Sequence, residues 1–228
     1  MTRLVLDLRA GRWQDTLQSE QVDAVICDPP YGAVVHDATR AATFDGKTRR
    51  ALDYDCLSPA DIHEFVAFWS PRCSGWMAAM TSDDLIGHWR EAYQRAGRYH
   101  FAPVPIVQHR PRLTGDGPGS CAVYLMVARP KNREFATWGS LPGWYHADVE
   151  RHGRYGGKPL PLMRAIVADY SRAGNIVCDP FAGHGTTLLA AHMLGRNALG
   201  AEADPAVAAR AEARLAAHTG QSDLFGYS

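Results

Sequence analysis

The stretch "NIVCDPFAGHGTTLLAAHMLGRNALGAEADP" (175–205) decides the fold. It opens with a short apolar run that reads as a strand ending at Asp179. A loop carrying Gly183 and Gly185 follows, and Thr186 opens a helix. A second strand, "NALGAE", ends in Glu202. Strand, glycine loop, helix and strand within about 30 residues form the unit from which doubly wound sheets are built. Glycines let the backbone approach a ligand and leave the amides of the helix start pointing outward. An acid at the end of the second strand can accept hydrogen bonds from two ribose hydroxyls. No Gly-Lys-Ser/Thr follows the glycines, which excludes a phosphate-binding P-loop, and Leu188 stands where a dinucleotide fingerprint has its third glycine. A nucleoside without phosphates suits the loop better. A turn that merely packs helix on strand accounts for the glycines but not for Glu202.

Outward from this unit, strands and helices alternate. Apolar, β-branched runs recur at 4–8, 22–27, 75–80, 101–107, 121–128, 175–179 and 197–202, giving seven expected strands. "SPADIHEFVAFW" supplies Ser58 as N-cap, Pro59 in the first turn and Asp61 three residues past the cap. "SDDLIGHWREAYQRAG" puts two acids in its first turn and glycine at its end. "KPLPLMRAIVADYSRAG" and "GTTLLAAHMLG" follow the same grammar, and "DPAVAARAEARLAA" aligns Val207, Ala211 and Leu215 on one face. The expected fold is α/β, a seven-stranded, mostly parallel, Rossmann-like sheet covered on both faces. Strands 101–107 and 121–128 have no helix between them, so they are expected as an antiparallel hairpin at the sheet edge.

At 228 residues the chain is expected to form one domain over 1–228. Residues 32–57 are expected as a mobile loop and 129–157 as a small insert, because both lack periodicity and exceed ordinary connections. No run of about 18 apolar residues occurs and charges come early in "MTRLVLDLRAGRW", so neither a membrane segment nor a signal peptide is expected and the location expected is cytoplasmic. The five cysteines are odd in number without a CxxC, which fits reduced thiols. Ten histidines without HxxxH or HExxH spacing predict no metal site. Lys plus Arg and Asp plus Glu both number 24, so no basic excess announces a nucleic-acid partner. Cationic residues do cluster locally, as Arg40, Lys47, Arg49 and Arg50, and as Arg110 and Arg112.

The second informative stretch is "ICDPPYG" (26–32), where an apolar strand runs into an acid, two prolines and a tyrosine. Neither proline can donate a ladder hydrogen bond and both have φ fixed, so the strand ends in a stiff turn. That turn presents the Asp28 carboxylate and the Tyr31 ring side by side.

DPPY followed by DPFAGxGTT resembles the S-adenosylmethionine-dependent amino-methyltransferases of DNA. DPPY comes first here, as in their circularly permuted β class. "GGKPLPLMRAIVADYSRAGNIVCDPFAGHGTT" and "ALGAEADPAVAARAEARL" are similar to the corresponding family segments, so the resemblance spans most of the chain. It implies that strands 22–27 and 175–179 lie side by side. It also implies S-adenosylmethionine as cofactor, held by Lys158, Pro159, Asp179, Phe181, Ala182, Gly183, Gly185, Thr186, Thr187 and Glu202. Catalysis then falls to Asp28, Pro29, Pro30 and Tyr31.

The chemistry fits those residue types. An exocyclic ring nitrogen is a poor nucleophile because its lone pair is delocalised. A carboxylate at Asp28 accepting one N–H, and the Pro29 carbonyl accepting the other, favour a pyramidal nitrogen with its lone pair freed. Tyr31 stacks on the ring. No Pro-Cys pair occurs, which excludes methylation at a ring carbon through a cysteine nucleophile.

The expected partner is double-stranded DNA, read by the cationic residues above and by the 129–157 insert, with a homodimer as one way to enlarge a small reading surface. Adenine N6 is the expected acceptor. Cytosine N4, or a catalytically inactive cofactor- and DNA-binding module, are the alternatives. Two positions depart from the family pattern. Arg12 stands where an acid near the cofactor's adenine usually follows glycine, leaving Asp7 or Asp15 as substitutes, and His184 replaces a serine in the glycine loop.

Overall fold

The computed structural model describes residues 4–30, 57–112, 118–132, 138–147 and 158–225, with the side chains of 109–112 and 220–225 outside that description. The fold is mixed α/β, with nine strands among the described residues. Its contacts divide the chain into two compact units. The first comprises Met1–Cys27, Cys73–Trp76 and Val149–Ser228, the second Asp28–Arg72 and Met77–Asp148.

The first unit holds β1 (Leu6–Ala10), β2 (Val22–Cys27), β8 (Ile176–Asp179) and β9 (Asn197–Glu202) in the order β1-β9-β8-β2. All three pairings are parallel, with Leu6 beside Ala198, Val177 beside Ala198 and Ala24 beside Val177. Strands β2 and β8 are the most buried of the four. Val22, Ala24, Val25, Ile26, Cys27, Val177 and Cys178 are almost fully covered, as strands with packing on both faces must be. Asp23 fixes the start of this layer. One carboxylate oxygen accepts from the Ile176 amide at 2.8 Å and the other from the Ser74 hydroxyl at 3.0 Å.

Among the described residues this unit also has four helices: α1 (Trp13–Thr16), α4 (Leu160–Tyr170), α5 (Thr186–Met193) and α6 (Pro205–Phe225). In α4 the buried positions Leu162, Met163, Ile166, Val167 and Tyr170 repeat at helical spacing, and Tyr170 meets Trp76 edge-on at 5.4 Å. In α6 the seated face is Ala208, Ala211 and Leu215, with Val207 half-buried at its flank. Small residues there let the helix lie close to its neighbours.

The second unit contains the greater part of β3 (Cys73–Thr81), with β4 (Tyr99–His100), β5 (Val104–Arg112), β6 (Ser120–Arg129) and β7 (Tyr145–Ala147). Its order is β3-β6-β5-β7, and β4 also pairs with β6. β3, β4 and β5 all run antiparallel to β6, while β7 runs parallel to β5. Two helices, α2 (Pro59–Trp69) and α3 (Ile86–Arg95), pack here. Ser58 and Asp61 form a reciprocal capping box at the start of α2, as the sequence predicts. The core is aromatic. Phe65 meets Trp89 edge-on at 5.9 Å, the Trp89 indole donates to the Thr81 hydroxyl at 3.1 Å, and the Tyr93 hydroxyl bonds the Met126 carbonyl at 3.2 Å.

All seven expected strands are present. The count rises to nine because β4 and β7, of two and three residues, are too short for any periodicity to register. β7 also corrects the expected edge. The β5–β6 hairpin is antiparallel, but Ile106, Val107 and Gln108 pair outward with Tyr145, His146 and Ala147, so β5 is not an edge strand there. The expected first turn of "SDDLIGHW" is a separate 3₁₀ turn, Asp83–Leu85, ahead of α3.

Candidate active site

The ligand-facing candidate in the first unit is the turn that leaves β8. Asp179 is buried at 2% exposure, and its carboxylate accepts the Phe181 amide at 3.0 Å. This is an Asp-Pro turn stabilised by its own side chain, and it stops the strand abruptly. The loop then ties back to β9. The Ala182 amide donates to the Ala201 carbonyl at 2.9 Å, and the Gly183 amide donates to the Glu202 carboxylate at 2.8 Å.

Both loop glycines are left-handed, at φ +52° for Gly183 and +74° for Gly185. Their surroundings differ. A Cβ on Gly183 would meet only the Phe181 carbonyl, at 3.9 Å, so this residue leaves open space over the loop. A Cβ on Gly185 would come within 3.2 Å of Leu215. Gly185 is also the N-cap of α5 and carries no capping side chain, so the helix starts without the usual oxygen over its first amides. Thr186 and Thr187 follow as buried residues.

Glu202 is half-buried, and each of its carboxylate oxygens accepts one backbone amide. One bonds Gly183 and the other bonds Asp204 at 2.9 Å. A carboxylate offers about four lone-pair sites, so one site per oxygen remains for a diol. Asp204 in turn caps α6, accepting from the Ala206 and Val207 amides at 2.7 and 3.1 Å. The expected acid is therefore held at a fixed angle by the backbone on both sides of it. The open cradle at Gly183 and this oriented carboxylate fit a nucleoside moiety.

Behind the loop stands Arg214 on α6. Its guanidinium donates to the His184 carbonyl and to the Thr186 hydroxyl, both at 3.0 Å. No role for Arg214 follows from the sequence. The only signal for it is its place in the segment "ALGAEADPAVAARAEARL". Gly200 is a second residue without a sequence signal of its own. A Cβ there would lie 2.9 Å from Leu188 and 3.0 Å from the Asp179 carbonyl, so close packing of β8, β9 and α5 requires glycine.

The turn after β1 also reaches this region. Gly11, at φ +131°, donates to the Glu202 carbonyl at 2.8 Å. Arg12 follows as an exposed residue preceding α1. Of the two acids expected as substitutes, Asp7 is paired with Arg9 at 3.0 Å, and Asp15 is exposed within α1. Lys158 and Pro159, both half-buried, lie at the start of α4 in the same unit. The structure thus brings together Asp179, Phe181, Ala182, Gly183, Gly185, Thr186, Thr187 and Glu202.

In the second unit, Asp28 and Pro30 are half-buried and Pro29 is buried. Tyr31, Arg40, Lys47, Arg49 and Arg50 lie outside the described residues, as do the side chains of Arg110 and Arg112 on β5. β2 and β8 are parallel neighbours with Val25 beside Cys178, so they end at the same edge of their sheet. Asp28 is one peptide bond beyond the end of β2, and Pro180 one beyond the end of β8. Among the described residues no three His, Cys, Asp or Glu side chains are grouped to hold a metal, and no helix is long and apolar enough to cross a membrane.

Residues 128–213 match a family profile described as DNA methylase. The putative methylase YubD of Escherichia coli K12 is 26% identical over 192 residues, covering 82% of this chain and 78% of that protein. The crystal structure of the M1.HpyAVI–SAM complex superposes with a TM-score of 0.68 at 22% identity, covering 92% of this chain and 98% of that one. The cytosine-N4-specific PvuII DNA methyltransferase gives the same TM-score at 13% identity, covering 94% of this chain and 87% of its own.

Proposed function

We propose that the chain is a DNA amino-methyltransferase and that it methylates the exocyclic amine of a base in double-stranded DNA, adenine N6 in first place. S-adenosylmethionine supplies the methyl group as a sulfonium substituent. Phe181, Ala182, Gly183, Gly185, Thr186 and Thr187 hold it from the β8 turn, Glu202 takes its ribose hydroxyls, and Asp179, Lys158 and Pro159 complete the pocket. The Asp28 carboxylate accepts one amine N–H and the Pro29 carbonyl the other, while Pro30 stiffens the turn and Tyr31 stacks on the base.

The observation that carries this reading is the parallel pairing of β2 with β8, Ala24 beside Val177. It brings the carboxyl ends of β2 and β8 to one edge of the first unit's sheet, although 151 residues of chain separate Cys27 from Cys178 in number. Ligands of open α/β sheets bind at the carboxyl ends of strands. In such a site, alignment of amine and methyl at near-attack distance supplies much of the rate without metal or covalent intermediate.

The base must first leave the duplex, at a cost of a few kcal/mol. Stacking on an aromatic ring returns about 1–3 kcal/mol, which is the work assigned to Tyr31. Arg40, Lys47, Arg49, Arg50, Arg110 and Arg112 are the proposed backbone contacts, and a homodimer would double so small a surface.

Cytosine N4 is the second reading of the acceptor. The cytosine-N4-specific PvuII enzyme is as similar in fold as the HpyAVI methyltransferase, both at a TM-score of 0.68. A module that binds cofactor and DNA without transfer is the third. Incubation with isotopically labelled S-adenosylmethionine and mixed-sequence DNA, then nucleoside digestion and mass analysis, separates them. Labelled N6-methyladenine is expected. N4-methylcytosine moves the acceptor, and cofactor binding without either product leaves the inactive module.

A further inference from the structure

We infer that Arg214 is a positioning residue for the glycine loop, acting on cofactor affinity from α6 without touching the cofactor. One guanidinium nitrogen spans Gly185, donating to the carbonyl before it and to the hydroxyl after it, each at 3.0 Å. Those acceptors lie 30 and 28 residues away along the chain.

The bond to His184 fixes the plane of the peptide between His184 and Gly185. With that carbonyl turned toward α6, the Gly185 amide faces the other way and donates to the Ala182 carbonyl at 2.7 Å. Rotating this peptide would break both bonds together. The bond to Thr186 consumes an acceptor site on its hydroxyl, so the hydroxyl's single hydrogen is directed away from the guanidinium. Thr186 is thereby set as a donor toward whatever faces it.

Leu215, the next residue, packs so close behind the same glycine that a Cβ there would come within 3.2 Å of it and push it aside. Ala208 and Ala211 seat the helix that carries both. A cation near a helix N-terminus opposes the macrodipole, so helix stability alone does not account for an arginine here. Loop geometry does, because the left-handed Gly185 has no side chain with which to hold itself.

This inference rests on the proposed cofactor role of the loop, and its test separates the two. Arg214→Met and Arg214→Lys are titrated with S-adenosylmethionine by calorimetry, with Ala211→Gly as a variant that weakens α6 without touching the loop. Loss of a charge-assisted bond pair predicts a dissociation constant raised about tenfold in Arg214→Met. The lysine variant should recover part of that loss, and kcat at saturating cofactor should stay within about twofold. Ala211→Gly should lower Tm while leaving the dissociation constant unchanged. An unchanged affinity in Arg214→Met, or an equal loss in Ala211→Gly, overturns the positioning role. If the wild-type chain binds no S-adenosylmethionine, the reading of function fails instead. Hydrogen exchange of the 183–187 amides then still reads the clamp: faster exchange in Arg214→Met upholds it and unchanged exchange overturns it.

Discussion

The Gly183 amide donates to the Glu202 carboxylate at 2.8 Å, closing a 19-residue excursion of chain onto one hydrogen bond. The bond joins the loop that leaves β8 to the acid that ends β9. The angle between loop and acid is thereby set.

Glu202→Gln therefore disturbs more than charge. The two carboxylate oxygens each accept an amide, from Gly183 and Asp204, and a carboxamide can accept only one of them while turning an NH₂ toward the other. Stability should fall by about 1–3 kcal/mol, a Tm drop of roughly 2–12 °C at this chain length. Affinity for S-adenosylmethionine should fall at least about tenfold. Differential scanning fluorimetry and calorimetric titration read the two effects. A variant with wild-type values in both would remove Glu202 from the site.

The glycines rank by their surroundings. Gly183→Ala costs about 1–2 kcal/mol for its left-handed backbone alone, since its Cβ would meet open space. Gly185→Ala should cost more, because Leu215 must also give way. Gly200→Ala should be the worst, since its Cβ would lie 3.0 Å from the Asp179 carbonyl, backbone that cannot move aside. Urea denaturation of the three variants gives the order, and a Gly183 variant less stable than the Gly200 one contradicts it.

Cysteine reactivity should split by burial. Cys178 is fully buried, and burial, reinforced by the neighbouring Asp179, pushes its thiol well above the usual range. Cys121 is exposed. At pH 8 to 9 iodoacetamide should label Cys121 quickly and leave Cys178 unmodified until unfolding. Because the folded-state value is raised, the stability Cys178 contributes is full below a free thiol's pKa of about 8.5 and is lost as pH rises beyond it. Peptide mapping after timed alkylation checks this, and equal labelling of both cysteines in the folded protein contradicts it.

In the second unit, Thr81→Val should strand the Trp89 indole N–H, whose bond to the Thr81 hydroxyl is 3.1 Å and buried. The expected loss is about 1–3 kcal/mol, read as a lower denaturation midpoint with unchanged slope. Unchanged stability would mean that the indole finds another acceptor.

Much of this architecture was legible from residue patterns. Each of the seven apolar runs became a strand, and the Ser58–Asp61 cap formed as its spacing implies. The segments that escaped were short or non-local. β7 has three residues and pairs in parallel with β5, so it is too short for a period to mark it. In the candidate site, Gly183, Gly185 and Glu202 announce themselves by type and spacing. Arg214 does not, because its partners are a backbone carbonyl and a hydroxyl some 28 to 30 residues earlier. Arg12, which stands where an acid was expected, is exposed beyond a turn that Gly11 ties to the Glu202 carbonyl. The surrounding backbone contacts are made without any acid there.

The most direct measurement is methyl transfer by Asp28→Ala, followed in a single turnover with labelled S-adenosylmethionine and duplex DNA, beside calorimetric titration of the same variant. The wild-type chain should yield labelled methyladenine, and the variant should transfer at least a thousandfold more slowly, roughly 4 kcal/mol of lost transition-state stabilisation, with cofactor affinity within about threefold. Transfer at the wild-type rate by Asp28→Ala would contradict the role assigned to Asp28.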